Sequence, residues 1–237
     1  MSSRNKILGR IRSALNAAPG TEKLPQMPMI WALKNLTTDE LRSSYCESLV
    51  QAAGEVVLCA SQEDAAAKIT AFLKELNAKK IGVARRIIVT ETLKKSDAFQ
   101  PDTKEFELLY APLDNPADIS REEMGILDAS IVGAEYLLAD TGSAVVASPC
   151  AFDRILCYIP PVCCVVASAS MIREHLPAAW QEISRRIRGE EQSNVHLPIE
   201  KHGEFLIVTG PSRTADIEKI LVLGVHGPKR LVVFLTE

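Results

Sequence analysis

No apolar run in the 237-residue sequence approaches the ~18–20 residues that a membrane-spanning helix needs. The basic N-terminal stretch (Arg4, Lys6, Arg10, Arg12) is not followed by the apolar core of a signal peptide. A cytoplasmic protein is therefore the expectation. Charge of one sign is also lacking: 27 Lys and Arg against 30 Asp and Glu leave a net −3, which gives no bulk electrostatic argument for nucleic acid. None of the six cysteines forms a C-x-x-C pair, so neither zinc nor ferredoxin-type cluster spacing is present. Such cysteines are expected as reduced, buried small hydrophobes, although folding could gather Cys150, Cys157 and Cys163. Cys163 and Cys164 are adjacent and in a strand would face opposite ways. No G-x-G-x-x-G fingerprint supports a bound nicotinamide. There is no internal repeat and no low-complexity tract.

What is there suits one sizeable core, with 47% hydrophobic and 24% charged residues. Residues 3–16 read as a basic amphipathic helix with Ile7, Leu8, Ile11 and Leu15 on one face, followed by a proline-bearing linker. The organisation expected is an arm over 1–30 and an α/β domain over 31–237. Thr37 and Glu40 have capping-box spacing, predicting a helix to about Ala53 with Gly54 as its stop. "EVVLCA" (55–60) predicts a buried strand, and Ser61 caps a helix bearing Ile69, Phe72, Leu73 and Leu76. "IGVA", "IIVT" and "FELLYA" are further strand candidates, and Ser120 with Glu123 marks another helix start. "AEYLLADTGSAVVAS" (134–148) is two apolar runs about a polar tip, and "CCVVAS" (163–168) is a strand. Residues 170–187 read as helix, kinked or split by Pro177. "FLIVT" (205–209) and "LVVFL" (231–235) read as strands enclosing a helix over 215–224. Strands separated by helices of this length predict a Rossmann-like α/β fold with a mostly parallel sheet.

On that reading "GPSRT" (210–214) is a strand-to-helix turn. The amides from Gly210 through Ser212 to Thr214 would face an anion, and the fork of Arg213 suits a carboxylate or phosphate. The same residues also describe an ordinary turn and N-cap, with Asp216 available to pair with Arg213. In the return loop "GVHGP", His226 stands beside Gly227; it could exchange a proton or simply pin the loop. In "ADTGS", Asp140, Thr141, Gly142 and Ser143 could line a pocket or cap their own turn. A single Asp-Thr-Gly does not make an aspartic protease, which needs two. Arg154 is either a second anion ligand or a surface charge.

"GPSRTADIE" with "GVHGP", "ADTGS" and the N-terminal "KILGRIRSAL" resembles the lactate utilization protein C family, the LUD domain, over nearly the whole chain. The resemblance implies a fold like ribose-5-phosphate isomerase, glucosamine-6-phosphate deaminase and the CoA transferases. It also implies a part in oxidising L-lactate to pyruvate beside iron–sulfur partner proteins, with no cofactor in this chain. Where family members show His-Ile opening a strand, this sequence has Cys163-Cys164. Two other functions stand beside that one. A stand-alone enzyme on a phosphorylated or CoA-linked metabolite would need a nucleophile such as Glu135 or Glu218. A non-catalytic assembly module would use the N-terminal arm for docking.

Overall fold

The computed structural model describes residues 3–17, 34–111, 125–148, 150–187, 204–215, 221–223 and 227–237. The chain divides into two units, Met1–Ala32 and Leu33–Glu237. The first contributes helix α1, Ser3–Ala17, on which Ile7, Leu8 and Ile11 are exposed.

The second unit begins with α2 (Thr38–Gln51). Its capping box is complete: the Thr37 hydroxyl accepts from the Glu40 amide, and the Glu40 carboxylate accepts from the Thr37 amide. Next come β1 (Glu55–Cys59), α3 (Gln62–Glu75) capped by Ser61, and β2 (Lys80–Val83). α4 (Ile87–Leu93) and β3 (Glu107–Tyr110) follow. The segment "IIVT" is thus helical rather than extended. Its buried residues Val89, Thr92 and Leu93 recur at three- and four-residue spacing, and that face is what packs. β4 (Ala129–Gly133) leads directly into the hairpin of β5 (Tyr136–Leu138) and β6 (Ser143–Ser148). α5 (Ala151–Leu156), β7 (Val162–Ser168), β8 (Ile172–Arg173) and α6 (Leu176–Ile187) complete the middle.

The helix expected over 170–187 therefore starts only at Leu176. Pro177 lies in its first turn, where a missing amide hydrogen costs nothing, so the proline opens the helix instead of kinking it. His175 caps that turn, its Nδ1 accepting from the Ala178 amide. A larger correction concerns 215–224. Beyond β9 (Glu204–Val208) the chain forms β10 (Arg213–Ala215) and β11 (Leu221–Leu223), paired antiparallel, before β12 (Arg230–Thr236). A short continuous apolar run such as Ile220–Leu223 has no period of its own, and pairing with β10 decides it. The helix start expected near Ser120, the linker after α1 and residues 188–203 lie outside the described residues.

Six parallel strands form the main sheet, in the order β1-β12-β7-β4-β2-β3. Its two faces are filled by alternate residues of the same strands. Cys163, Val165, Leu231 and Val233 pack with Tyr45 and Leu49 of α2 and with Phe152 and Leu156 of α5. Cys164, Val166, Val232 and Phe234 pack on the other face with Ile69 and Leu73 of α3 and Val89 and Leu93 of α4. The adjacent cysteines do point to opposite faces, as a period of two requires. β1 is less buried than its sequence suggests, with Leu58 56% exposed on this edge strand. A four-stranded sheet, β8-β5-β6-β9, carries α6 on one side through Ala179 and Ile183.

Candidate functional site

The hairpin tip "ADTGS" and the turn after β9 meet. Ser143 Oγ donates to Thr141 Oγ1 at 2.8 Å and lies 2.6 Å from Thr209 Oγ1, while Thr141 donates to Asp140 Oδ1. Both turns rest on the C-terminal half of α2. Ser44 and Ser48 of that helix donate to the Ala139 carbonyl. Gly142 has φ +65°, and a Cβ there would lie 2.2 Å from the Leu49 amide nitrogen. Gly210 has φ +67°, and its Cβ would lie 2.3 Å from the Ala52 carbonyl oxygen. Only glycine combines the left-handed angle with that approach. The Ser212 amide donates to Pro228 O, and a side chain on Gly227 would touch Ser212 Cβ. The structure thus gathers Asp140, Thr141, Gly142, Ser143, Gly210, Ser212 and Gly227 near one junction, where the hydroxyls of Thr141, Ser143 and Thr209 bond one another and the Asp140 carboxylate. With strands at 213–215 and 221–223, no helix start stands behind the 210–214 turn, and the dipole argument for an anion there does not apply. Arg213 and Thr214 lie on β10 with side chains outside the described residues, as is His226. Arg154 lies apart, near the opposite end of the β6–β9 pair, where it makes an exposed 2.8 Å ion pair with Glu204.

Of the three cysteines that folding could gather, two meet. The Cys157 thiol donates to the Asp153 carbonyl and lies beside Cys163, whose thiol it holds below its ordinary range. Cys150 turns instead to Asp153. All six thiols are free. Cys163, at the position where the resemblance implied a histidine, is fully buried and packs in the core. Among the described residues no group of three His, Cys, Asp or Glu is placed to hold a metal.

The more chemically loaded place is at the carboxyl ends of β2 and β4. From β2 the chain runs outward to the edge strand β3, whereas β4 leads inward through β7 to β12. Such a point of divergence in a parallel sheet opens a crevice where ligands bind. Two arginines follow β2, one residue beyond its end. Arg85 donates through Nε to the Ala111 carbonyl at 3.0 Å and stacks over Tyr110 at 4.8 Å, which fixes the plane of its guanidinium. Arg86 is 1% exposed and forms an ion pair with Glu135, which sits between β4 and β5. Its Nε and Nη1 have no partner among the described residues. A carboxylate held in that pair is not a free nucleophile, which argues against Glu135 in a covalent role.

Asp153 of α5, a helix packed against β2 and β4, is 2% exposed. Its Oδ1 has no hydrogen-bond partner among the described residues, and the Cys150 thiol lies near the carboxyl. Burial pushes its pKa up to about 6, opposed by Cys150 and the charge of Arg85. A buried aspartate that changes charge near neutrality can carry a proton. Sequence reading passed over Arg85, Arg86 and Asp153. The available signal was a pair of arginines closing a predicted strand; Asp153 was hidden beside the more conspicuous Arg154.

Known proteins place this architecture. The solved structure of a DUF162 family protein from Deinococcus radiodurans superposes with a TM-score of 0.56 at 16% identity, covering 85% of this chain and 99% of that one, a likeness of fold. The uncharacterized protein YkgG of Escherichia coli (strain K12) is 26% identical over 249 aligned positions, covering 100% of this chain and 99% of that protein. Lactate utilization protein C of Bacillus pumilus is 33% identical over 125 residues, and that of Halalkalibacterium halodurans 29% over 110. These two matches span only about half of each protein, 49% and 44% of the relatives' lengths. The LUD domain family model matches residues 44–236, from α2 to the end of β12, and the chain belongs to the LUD domain family.

Proposed function

We propose that this protein is a component of a lactate utilization system, in which L-lactate is oxidised to pyruvate. Two electrons pass to iron–sulfur partner proteins and two protons are released. The named relatives support the metabolic role, and the resemblance supports the partners. The ligand this chain handles is a small carboxylate, and its seat is the crevice beyond β2 and β4 rather than the 210–214 turn. One observation carries that placement: Asp153, a buried carboxyl with an unpartnered oxygen, sits on α5, which packs against β2 and β4, the two strands from which the crossovers diverge. Arg85 would hold the ligand carboxylate and Asp153 would meet its second polar group.

The test is a chromosomal deletion in the native cells, grown on L-lactate or on glucose. Loss of growth on lactate alone, restored by the wild-type gene and not by Arg85→Ala at equal protein level, is expected. Normal growth of the deletion strain on L-lactate refutes the metabolic role. Full rescue by Arg85→Ala refutes the crevice as the seat.

A further inference from the structure

We infer that α1 is a docking arm whose occupant is a partner protein, distinct from this chain, that offers an apolar groove rimmed by carboxylates. The arm is independent of the crevice beyond β2 and β4, and the metabolic reading leaves its basic helix without a task.

Every side chain of α1 from Arg4 to Ala14 is exposed, including Ile7 at 57%, Leu8 at 37% and Ile11 at 50%. A helix of 15 residues is marginal in water unless one face is packed. This one has Gly9 near its middle, no acid in its first turn and no base in its last. Neither propensity nor its own dipole makes up for the missing cover. At about 100° per residue, Ile7, Leu8 and Ile11 fall within an arc of about 100°. That is the width of face by which an amphipathic helix settles into a groove.

Charge selects the occupant. α1 carries Arg4, Lys6, Arg10 and Arg12 and no acid, whereas the rest of the chain sets the remaining 23 Lys and Arg against all 30 Asp and Glu. On the helical wheel Arg10 and Arg12 border the apolar arc on its two sides, and Lys6 lies on the far side of the helix. A groove that takes these aliphatics meets a cation along each rim, and carboxylates there complement it. An anionic bilayer offers the same charge but repels the rest of the chain, and α1 lacks the aromatic side chains that seat a helix at a membrane interface. A second copy does not fit. Two α1 helices repel each other, and the acidic groove along α2, lined by Leu36, Asp39, Glu40, Ser43, Ser44 and Glu47, has a single aliphatic side chain to floor it. Asp39 in that groove is paired with Arg42, and Glu40 is held in the capping box.

The test replaces Ile7, and in a second variant Lys6, by the photo-crosslinking residue p-benzoylphenylalanine in the full-length protein in its native cells. Crosslinked peptides are identified by mass spectrometry. The probe at Ile7 should join a segment of another protein in which apolar residues are flanked by Asp or Glu, and the probe at Lys6 should not. That protein, once purified, should bind the full-length wild-type chain. Arg10→Glu with Arg12→Glu should weaken binding roughly thirtyfold, and Lys6→Glu less than about threefold. Ile7→Asp, which puts a charge on the apolar floor, should weaken it about a hundredfold or more. Changing the flanking acids of the partner to Lys should restore affinity for the Arg10→Glu, Arg12→Glu chain, and no arm variant should shift the melting temperature of the chain. Crosslinks from Ile7 to lipid, to its own chain, to a second copy or to a surface without flanking acids overturn the inference. So does the absence of any crosslink from Ile7, or a loss from Lys6→Glu equal to that from the Arg10, Arg12 reversal.

Discussion

Replacing Gly142 by alanine should unseat the β5–β6 hairpin from α2. Two penalties combine. At φ +65° a Cβ in the left-handed region costs about 1–2 kcal/mol. The added methyl would also lie 2.2 Å from Leu49 N, 2.4 Å from Leu49 Cα and 2.6 Å from the Ser48 carbonyl carbon. All three are backbone atoms of a helix, so no side chain can rotate away, and overpacking of this kind costs about 1–3 kcal/mol. Together the loss is about 3–4 kcal/mol, a large part of the roughly 5–15 kcal/mol that holds a domain folded. At about 2–4 °C per kcal/mol for a domain of this size, the melting temperature should drop by roughly 10 °C. Thermal and urea unfolding followed by circular dichroism would measure it. Gly125→Ala is the control, because nothing lies within 4 Å of a Cβ there and no shift is expected. A Gly142→Ala melting temperature within about 2 °C of wild type would refute the reasoning, since the turn could not then sit on the helix backbone as described.

Asp153→Asn should stabilise the protein at neutral pH. Its folded pKa, near 6, lies above that of an ordinary aspartate, so the native state holds the proton more tightly than the unfolded chain does. Stability therefore falls as pH rises from about 4 to about 6, by an order of 3 kcal/mol, and the asparagine variant should be free of that loss. Urea midpoints at pH 4 and pH 7.5 check this: equal for the two proteins at the lower pH and higher for the variant at the upper. Arg86→Met leaves Glu135 charged and buried, and should cost about 3–5 kcal/mol, while Arg86→Met with Glu135→Leu should recover most of it in a double-mutant cycle. Thr37→Ala removes the hydroxyl that caps α2 and should cost about 1 kcal/mol, seen as a melting temperature about 2–4 °C lower.

Where local chemistry decides, the fold was legible in the sequence. Thr37 and Glu40 announce α2, Ser61 announces α3, and the strands at 80–83, 162–168 and 230–236 stand out as apolar runs. Where partners decide, it was not. Ile87–Thr90 has strand-like composition and becomes helix because one of its faces is buried against the sheet. Leu221–Leu223 has helix-like neighbours and becomes strand because Arg213–Ala215 pairs with it. The sequence singled out the glycine-rich motifs as turns that could line a ligand pocket, and the structure adds that Gly142 and Gly210 come close to backbone. What they approach is α2, a relation between residues some 90 positions apart that no local pattern encodes. The crevice residues were harder still. Asp153 is unusual only because it is buried, and burial of a polar residue is a property of the assembled layers.

The position of β12 has a consequence for how the polypeptide comes into being. Among the described residues β1 pairs only with β12, the bond sealed by Arg230 reaching Glu55 at 2.7 Å across 175 positions. During translation, β1 and α3 emerge early and wait with their apolar faces uncovered until residues 230–236 leave the ribosome. The main sheet cannot close gradually behind the growing chain; it closes when its second strand, made last, slots between the first and β7. A nascent chain arrested before residue 230 should therefore be a strong client for chaperones, and release of these few residues should convert it to the protease-resistant state in one step.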